Sequence, residues 1–197
     1  MGADGLQAAR ARAERVDPFE ASAAAGIPYE GSGEAGRFEV PFLGETVCLT
    51  YPGFDLAQGS SWVPDHVLAL IVYHLAVSDG TPPSGREVSF AELPDGTFYV
   101  QAFRGYTSSV IVRRFADAPE KLDAAVRALG GEALEAASDS AWRIPALPRV
   151  PVTLLWWDAD DEFESRAELL FDESAHHHLP TDGCAILGSW LTARLGR

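Results

Sequence analysis

Long hydrophobic segments with few polar interruptions mark the core of this chain. The segment SSWVPDHVLALIVYHLAVSDG at 60–80 places apolar side chains around nearly the whole circumference of a helix. Such a helix is buried on most sides, with Ser61 as a candidate cap and Pro64 in its first turn. The segment VPVTLLWW at 150–157 is almost continuously apolar, which is typical of a central strand covered on both faces. The pattern predicts one buried helix and one buried strand.

Alternating polar and apolar positions predict further strands around these two segments. The sequence RFEVPFLGETVCLTYPG at 37–53 alternates on both sides of Gly44, which indicates a hairpin. SAWRIPAL at 140–147 and RAELLFD at 166–172 also have the composition of strands. The second of these would pair with the central strand through the acidic loop between them. TFYVQAF at 97–103, after a Pro-Asp-Gly turn, is predicted to be extended.

Helical periodicity and capping residues predict the remaining elements. An amphipathic helix follows Asp117, a candidate cap, and ends at Gly130. The segment SSVIVRRFAD at 108–117 fits a helix or a strand by periodicity, and we favour a helix because the next helix follows at once. A C-terminal helix is predicted from about 182 to 195, with Thr181 as its cap.

Together these elements predict an α+β fold, in which a mainly antiparallel sheet is packed by helices. One helix is central and buried, and another ends the chain. Residues 1–34 form an Ala- and Arg-rich helical arm and linker with few large apolar side chains. Residues 35–197 form a single α+β domain, since 197 residues suit one hydrophobic core. Whether the arm packs on the domain is open at this point.

Composition and charge exclude several classes of protein. The chain is 47% hydrophobic and 22% charged, as in ordinary globular proteins. Its formal net charge of −14 argues against a surface for nucleic acid or for anionic membranes. The longest apolar run, at 67–73, is too short to span a bilayer, and the N-terminus lacks the apolar region of a secretory signal. We therefore expect a cytoplasmic protein with neither nucleic-acid nor membrane partners.

Cysteine content and the usual motifs give no cofactor. Cys48 and Cys184 are far apart and form no CxxC pair, so we expect no intrinsic iron–sulfur cluster and favour two buried free thiols over a disulfide. Phosphate-binding glycine loops, HExxH and GxSxG motifs are all absent from the sequence. The identity of any cofactor is therefore unknown at this stage.

The segment DESAHHHLPTDG at 172–183 contains three consecutive histidines. Adjacent side chains diverge in both helices and strands, so at most two of them could meet one metal ion beside a neighbouring carboxylate. Three interpretations stay open: a metal site, a structural turn, and a single histidine with a ligand-binding or acid–base role. The turn is favoured, because Leu-Pro-Thr-Asp stops the preceding segment and caps the last helix.

Three longer stretches, at 73–99, 147–172 and 174–191, resemble a domain-of-unknown-function family of anaerobic bacteria and archaea, family 3786. The resemblance covers roughly 35–195. Its shared patterns are Asp-Gly-Thr-Pro, Leu-Pro-Arg-Val-Pro and a histidine before Leu-Pro-Thr. In this chain they fall at 79–82, at 147–151, and at His177 with 179–181. His176 and His178 stand where relatives have other residues, which singles out His177.

This resemblance implies a setting but no established reaction. The setting is the cytoplasm of an anaerobe, close to redox or one-carbon cofactor metabolism. Some relatives carry a separate cysteine-rich iron–sulfur module, which this chain lacks. A role linked to such a cluster would therefore need a partner protein.

Three functional hypotheses follow. The first is an accessory domain that binds a small molecule or cofactor in an apolar, aromatic pocket, whose polar rim includes His74, Asp79, Arg149, His177 and Asp182. The second is an enzyme in which His177 acts as general acid–base or as a metal ligand beside a carboxylate. The third is a subunit whose acidic face docks a protein partner. The oligomeric state is not specified by any of these patterns.

Overall fold

The computed structural model describes residues 3–196. The α-helices are α1 (Ala3–Ala13), α2 (Pro18–Ala25), α3 (Asp65–Val77), α4 (Val100–Tyr106), α5 (Ser108–Phe115), α6 (Glu120–Ala128) and α7 (Thr181–Arg194). The strands are β1 (Tyr29–Gly31), β2 (Gly36–Phe42), β3 (Glu45–Tyr51), β4 (Glu87–Ser89), β5 (Glu132–Leu134), β6 (Ser140–Leu147), β7 (Val150–Trp157) and β8 (Arg166–Asp172). Short 3-10 segments lie at Phe90–Glu92, Gly96–Phe98 and Glu173–His177.

The strands form two antiparallel sheets, in the orders β1-β2-β3 and β4-β8-β7-β6-β5. The first contains the predicted hairpin around Gly44, and a backbone hydrogen bond of 3.2 Å from Leu43 to Ala146 connects it to the second. Strand β7 is central in the larger sheet and buries Leu154 and Trp156, while Leu155 on its other face is only half-buried. The α+β fold is confirmed, but the central strand is fully covered on one face only.

Helix α3 is the buried central helix that the sequence predicts. Its apolar residues from Val67 to Val72 are all buried, and α1, α2 and α7 contact it. The helix begins after Pro64 and has no side-chain cap, so the predicted role of Ser61 is wrong. Proline suits this position because it fixes the backbone without needing a hydrogen bond from its own nitrogen.

The N-terminal arm packs on the body of the protein. Helix α1 contacts α3 and buries Leu6 and Ala9, and α2 buries Ala21 and Ala25. Asp17 caps α2 by accepting hydrogen bonds from the backbone of two residues in its first turn. Alanine side chains allow close approach between helices, so this surface needs few large apolar residues. The domain boundary at residue 34 stays a prediction.

The segment 97–103 is helical, and its prediction as an extended strand is wrong. A 3-10 turn leads into α4, and Phe103 is buried against Phe90 with ring centroids 4.2 Å apart. Phe98 and Tyr99 are instead exposed, by 83% and 64%. The Pro-Asp-Gly turn therefore leads into a helix and not into a strand, and one of the three aromatic rings of the segment faces the core. The helix favoured for the following segment, α5, is confirmed.

Two further caps differ from prediction. Helix α6 begins after Pro119 without a side-chain cap, so Asp117 does not cap it. Helix α7 follows Pro180, and the Thr181 hydroxyl donates to the carbonyl of Pro94 instead of capping the helix. Both helices start directly after a proline. The proline restricts the backbone conformation of the residue before it, and no side-chain acceptor caps either helix.

Cys48 and Cys184 are free and buried, as predicted. Burial raises the pKa of the Cys184 thiol to about 12, so it stays protonated at neutral pH. Within the described residues, no helix combines the length and apolar character needed to cross a membrane.

Candidate functional site

The three consecutive histidines occupy three different environments. Strand β8 ends at Asp172, a 3-10 segment follows, and α7 starts at Thr181, which gives the strand-to-helix corner that the sequence predicts. His176 is exposed, His177 is half-buried and His178 is completely buried. Because the corner turns tightly, the three rings lie in different places. The ring of His176 is in solvent, that of His177 is at the boundary between solvent and core, and that of His178 is in the core.

Asp172 holds the start of this corner in place. Its side chain is 2% exposed and accepts hydrogen bonds from the backbone of Ser84 (2.8 Å), Gly85 (2.8 Å) and Ser174 (3.0 Å). The hydroxyls of Ser84 and Ser174 donate to it as well. Burial by itself raises the pKa of Asp172, but the hydrogen bonds from Ser174, Ser84 and Gly85 outweigh it and lower the pKa to about 2. The carboxylate therefore joins the 84–85 loop to the histidine corner.

His177 forms a dyad with Asp79. Its Nδ1 lies 2.7 Å from Asp79 Oδ2 and 3.3 Å from Thr81 Oγ1. Hydrogen bonds from Thr81, and then from His177, hold the pKa of Asp79 well below its usual range. Because a carboxylate only accepts hydrogen bonds, His177 carries its proton on Nδ1 and leaves Nε2 as the free ring nitrogen.

Behind this dyad lies a buried histidine pair, His74 and His178, with ring centroids 5.8 Å apart. His178 Nε2 donates to the Thr81 carbonyl (2.9 Å). The Ser78 hydroxyl donates to the His74 carbonyl (2.8 Å), so His74 Nδ1 donates to that hydroxyl (3.0 Å). The remaining ring nitrogens, His74 Nε2 and His178 Nδ1, are buried lone pairs without a partner among the described residues.

Both histidines of this pair are held neutral. Burial, with smaller effects from His178 and Arg149, lowers the pKa of His74 to about 3. Burial also lowers the pKa of His178. Arg149 adopts a positive φ of 61° in the turn between β6 and β7, and its Nη2 donates to the carbonyl of Ala23 (3.2 Å). This turn therefore connects α2 to the larger sheet beside the histidine pair.

Four of the five predicted site residues come together around the corner. Asp79 contacts His177 directly, and Arg149 acts electrostatically on His74. The three sequence patterns that carry the family resemblance thus meet in space. His178 links these groups but sequence reasoning missed it, because nothing in a run of identical residues indicates which one is buried. Asp182 lies elsewhere, in a separate cavity.

A cavity of about 610 Å³ lies beside the corner, between α4 and the first turn of α7. It is within the size range of small-molecule sites in proteins. Its lining consists mainly of apolar and aromatic side chains with a few polar groups: Phe90, Pro94, Asp95, Tyr99, Ala102, Tyr106, His176, Pro180, Thr181, Asp182 and Ala185. His74, Asp79, Arg149 and His177 do not line it, so the aromatic pocket and the four-residue cluster are distinct features.

Most polar groups of this cavity can only accept hydrogen bonds. His176 Nδ1 donates to the carbonyl of Glu173 (2.8 Å), which leaves Nε2 as an acceptor. The Thr181 hydroxyl proton is already used on Pro94, and Asp95 and Asp182 contribute carboxylates. Sequence reasoning identified Asp182 but missed Asp95 and His176. The cavity therefore presents a surplus of acceptors to whatever occupies it.

The described part of the chain has no cluster of three or four ligating side chains, the number that structural and catalytic zinc sites use. Across residues 3–196, no group of three or more His, Cys, Asp or Glu side chains is placed to hold one ion. His177 Nδ1 is occupied by Asp79, so only Nε2 could bind a metal. The metal role of His177 stays a prediction.

Comparison with known proteins gives a match to a family whose function is unknown. A family model described as Domain of unknown function (DUF3786) matches residues 17–194. The match includes α2 and so extends further towards the N-terminus than the resemblance found in the sequence. No curated protein and no solved structure matches the chain. The chain, matched over most of its length, belongs to the domain-of-unknown-function family DUF3786.

Proposed function

We propose that this protein is a small-molecule-binding domain whose ligand occupies the 610 Å³ cavity. The observation that carries the proposal is the combination of an apolar, aromatic lining with a few acceptor groups, chiefly Asp95, Asp182 and His176 Nε2. Binding sites for organic ligands typically combine a large apolar surface with a few polar groups that orient the ligand. The apolar lining would supply affinity, and the acceptors would supply orientation.

The lining also favours a chemical class of ligand. Acceptors pair with donors, so the ligand carries amine, amidine or similar N–H groups on a planar apolar body. Tyr99 and Tyr106 add aromatic rings that attract cations. Burial raises the pKa of Tyr106 further above its usual value of 10, so at neutral pH its hydroxyl is an uncharged group that can donate or accept a hydrogen bond. We therefore assign a planar, cationic or donor-rich neutral ligand to this cavity.

A matched pair of probes tests the cavity. We expect 1-naphthylmethylamine to bind more tightly than 1-naphthaleneacetate in calorimetric titrations, because the two differ mainly in the sign of their charge. Asp182→Asn should weaken binding of the amine by about tenfold, the effect of one charge-assisted hydrogen bond. Ala185→Phe should abolish binding by filling the cavity from α7. Asp161→Asn, in the exposed acidic loop, makes the same change of charge elsewhere and should leave affinity unchanged.

The competing outcomes are distinct. Equal affinity for the two probes would contradict the assigned ligand class while leaving the cavity as a binding site. Binding that persists in Ala185→Phe would contradict the cavity itself.

A second candidate function is acid–base catalysis by His177, and the 2.7 Å contact with Asp79 favours it. A carboxylate that fixes the Nδ1 proton leaves Nε2 oriented to take or give a proton. The ring of His176, which lines the cavity, lies 4.3 Å from that of His177 between centroids. In this proposal the dyad would act on a ligand at the cavity edge.

The orientation of His177 is measurable without a substrate. In ¹⁵N NMR spectra we expect wild-type His177 to show the Nδ1–H tautomer, and Asp79→Ala to give a mixture of both tautomers because the acceptor is lost. Asp161→Ala is the matched control and should leave the His177 signals unchanged. A His177 tautomer that does not respond to Asp79→Ala would remove the basis for acid–base catalysis.

The cellular setting is part of the same proposal. We infer a cytoplasmic role near anaerobic redox or one-carbon metabolism from the sequence and from the resemblance to the family. A protein partner that docks on the acidic surface, or that supplies an iron–sulfur cluster, belongs to this setting. Co-purification from the native host, followed by mass spectrometry, would test it.

A further inference from the structure

An arginine-lined groove of about 470 Å³ lies near the N-terminal end of α5. We name it the arginine groove, and it is formed by Arg104, Ser108, Ser109, Val112, Arg113, Ser165, Arg166, Ala167 and Glu168. Arg104 lies on the side of α4 opposite Ala102, which lines the cavity, because two residues differ by about 200° on a helix. The groove is therefore separate from the proposed ligand cavity.

The charge of the groove is opposite to that of the protein. Three arginines and one glutamate line it, which leaves a net charge of +2 in a chain whose formal charge is −14. Arg104 pairs with Glu168 at 3.4 Å. Among residues 3–196, Arg113 and Arg166 form no ion pair, although acidic residues outnumber basic ones by 29 to 15. Two arginines thus remain available in a concave surface.

The groups around these arginines suit an anion with several oxygens. The guanidinium of Arg166 lies over the ring of Trp157 at 3.9 Å, which restricts its position while its N–H groups stay available. Ser108, Ser109 and Ser165 make no side-chain hydrogen bond to other described residues. Ser108 and Ser109 also begin α5, which has no side-chain cap, so the helix adds backbone N–H donors.

We propose that the arginine groove binds the phosphate group of a small phosphorylated molecule. A phosphate monoester approaches a charge of about −2 above pH 6 and presents three strong acceptor oxygens. That charge matches the +2 of the groove, and guanidinium forks match its geometry. Arg166 also borders an acidic hollow whose carboxylates are Asp139, Asp158, Asp160 and Glu164, so an anion would lie on the side of the groove nearer Arg104 and Arg113. More distant carboxylates are screened, since the Debye length is about 8 Å at physiological salt.

Phenyl phosphate is the probe, followed by ¹H–¹⁵N NMR at constant ionic strength. We expect saturable shifts in the amides of α5 and in the Arg side-chain signals of the groove. Arg113→Gln should weaken binding by about tenfold, since it removes a charge-assisted donor. Arg15→Gln removes the same charge from an exposed position in the turn directly after α1. This variant should change the affinity by less than twofold.

Three further arms separate phosphate recognition from general charge effects. Benzoate and benzenesulfonate carry a single charge and should bind much more weakly than phenyl phosphate. Binding of phenyl phosphate should weaken below about pH 6, where the dianion is protonated. Vesicles containing phosphatidic acid should not sediment the protein, because its net charge of −14 repels an anionic surface. Equal affinity for all three probes, equal losses in the two arginine variants, or sedimentation with vesicles would each overturn the proposal.

Discussion

The variant Asp172→Asn is expected to lower the free energy of unfolding by about 3 kcal/mol or more. Asp172 accepts five hydrogen bonds from Ser84, Gly85 and Ser174 and is almost fully buried. An asparagine of the same size can keep its carbonyl at the position of Oδ1, which accepts four of the five bonds, but it removes the negative charge and places an NH₂ group opposite the backbone N–H of Gly85. Removing one partner of a buried charged network generally costs several times more than removing an exposed charge.

Urea unfolding followed by tryptophan fluorescence measures this loss. Asp161→Asn, at an exposed position, makes the same chemical change and should alter stability by less than about 0.5 kcal/mol. The pKa of Asp172 is lowered, so its contribution to stability is complete above the unfolded value of 3.8 and is lost as the pH falls towards about 2. An Asp172→Asn protein as stable as the control variant would show that this carboxylate does not hold the corner together.

Acidification is expected to destabilise the protein through His74. Its pKa is about 3 in the folded protein and about 6.5 when unfolded, so the unfolded state binds the proton more readily. The stability contributed by neutral His74 is therefore complete above pH 6.5 and is lost as the pH falls towards 3. Between pH 7.5 and 5 the loss amounts to about 2 kcal/mol from this residue alone, at 1.36 kcal/mol for each unit of pKa.

The surroundings of His74 make this loss difficult to avoid. His178 and Arg149 face it, and both disfavour a positive charge on the ring, while the backbone of His178 and of Ala25 nearby compensates only in part. Asp79 acts favourably on His178 rather than on His74. A proton on His74 would therefore place a second positive charge beside Arg149 in a region closed to water.

His74→Asn separates this titration from other effects of acid. Asparagine can keep a donor near Ser78 but has no ionisable group, so the variant should show a flatter dependence of unfolding free energy on pH between 7.5 and 5. His66→Asn removes a histidine from the exposed start of the same helix and serves as the matched variant, so that the difference in slope between the two variants is assigned to His74. Identical slopes in wild type and His74→Asn would rule out His74 as the source.

Hydrophobic patterns predicted the parts of the fold in which burial and periodicity agree. Helix α3 and strand β7 are continuous apolar segments, and both lie in the core. The prediction for 97–103 was wrong because an extended strand was expected after the Pro-Asp-Gly turn, whereas the segment forms a helix that buries Phe103 and packs Val100 against the core. The predicted caps of α6 and α7 were wrong because each helix starts after a proline and has no side-chain acceptor at that position.

The sequence predicted several residues of the candidate site, but it did not predict the hydrogen bonds between them. Asp79 and His177 are far apart in sequence, and nothing in their local patterns specifies that they share a hydrogen bond. The placement of Thr81 between His177 and His178 depends on how the corner meets the end of α3. Asp182 was selected as a partner of these residues, but the first turn of α7 directs it into the aromatic cavity.

The different burial of His176, His177 and His178 gives the protein three adjacent spectroscopic reporters. In one NMR spectrum, the ring protons of His176 would respond to an occupant of the cavity, and those of His177 to the state of Asp79. The ring of His178 would respond to protonation or loosening of the core around His74. A segment of three residues can therefore distinguish ligand binding, proton transfer and partial unfolding without any added label.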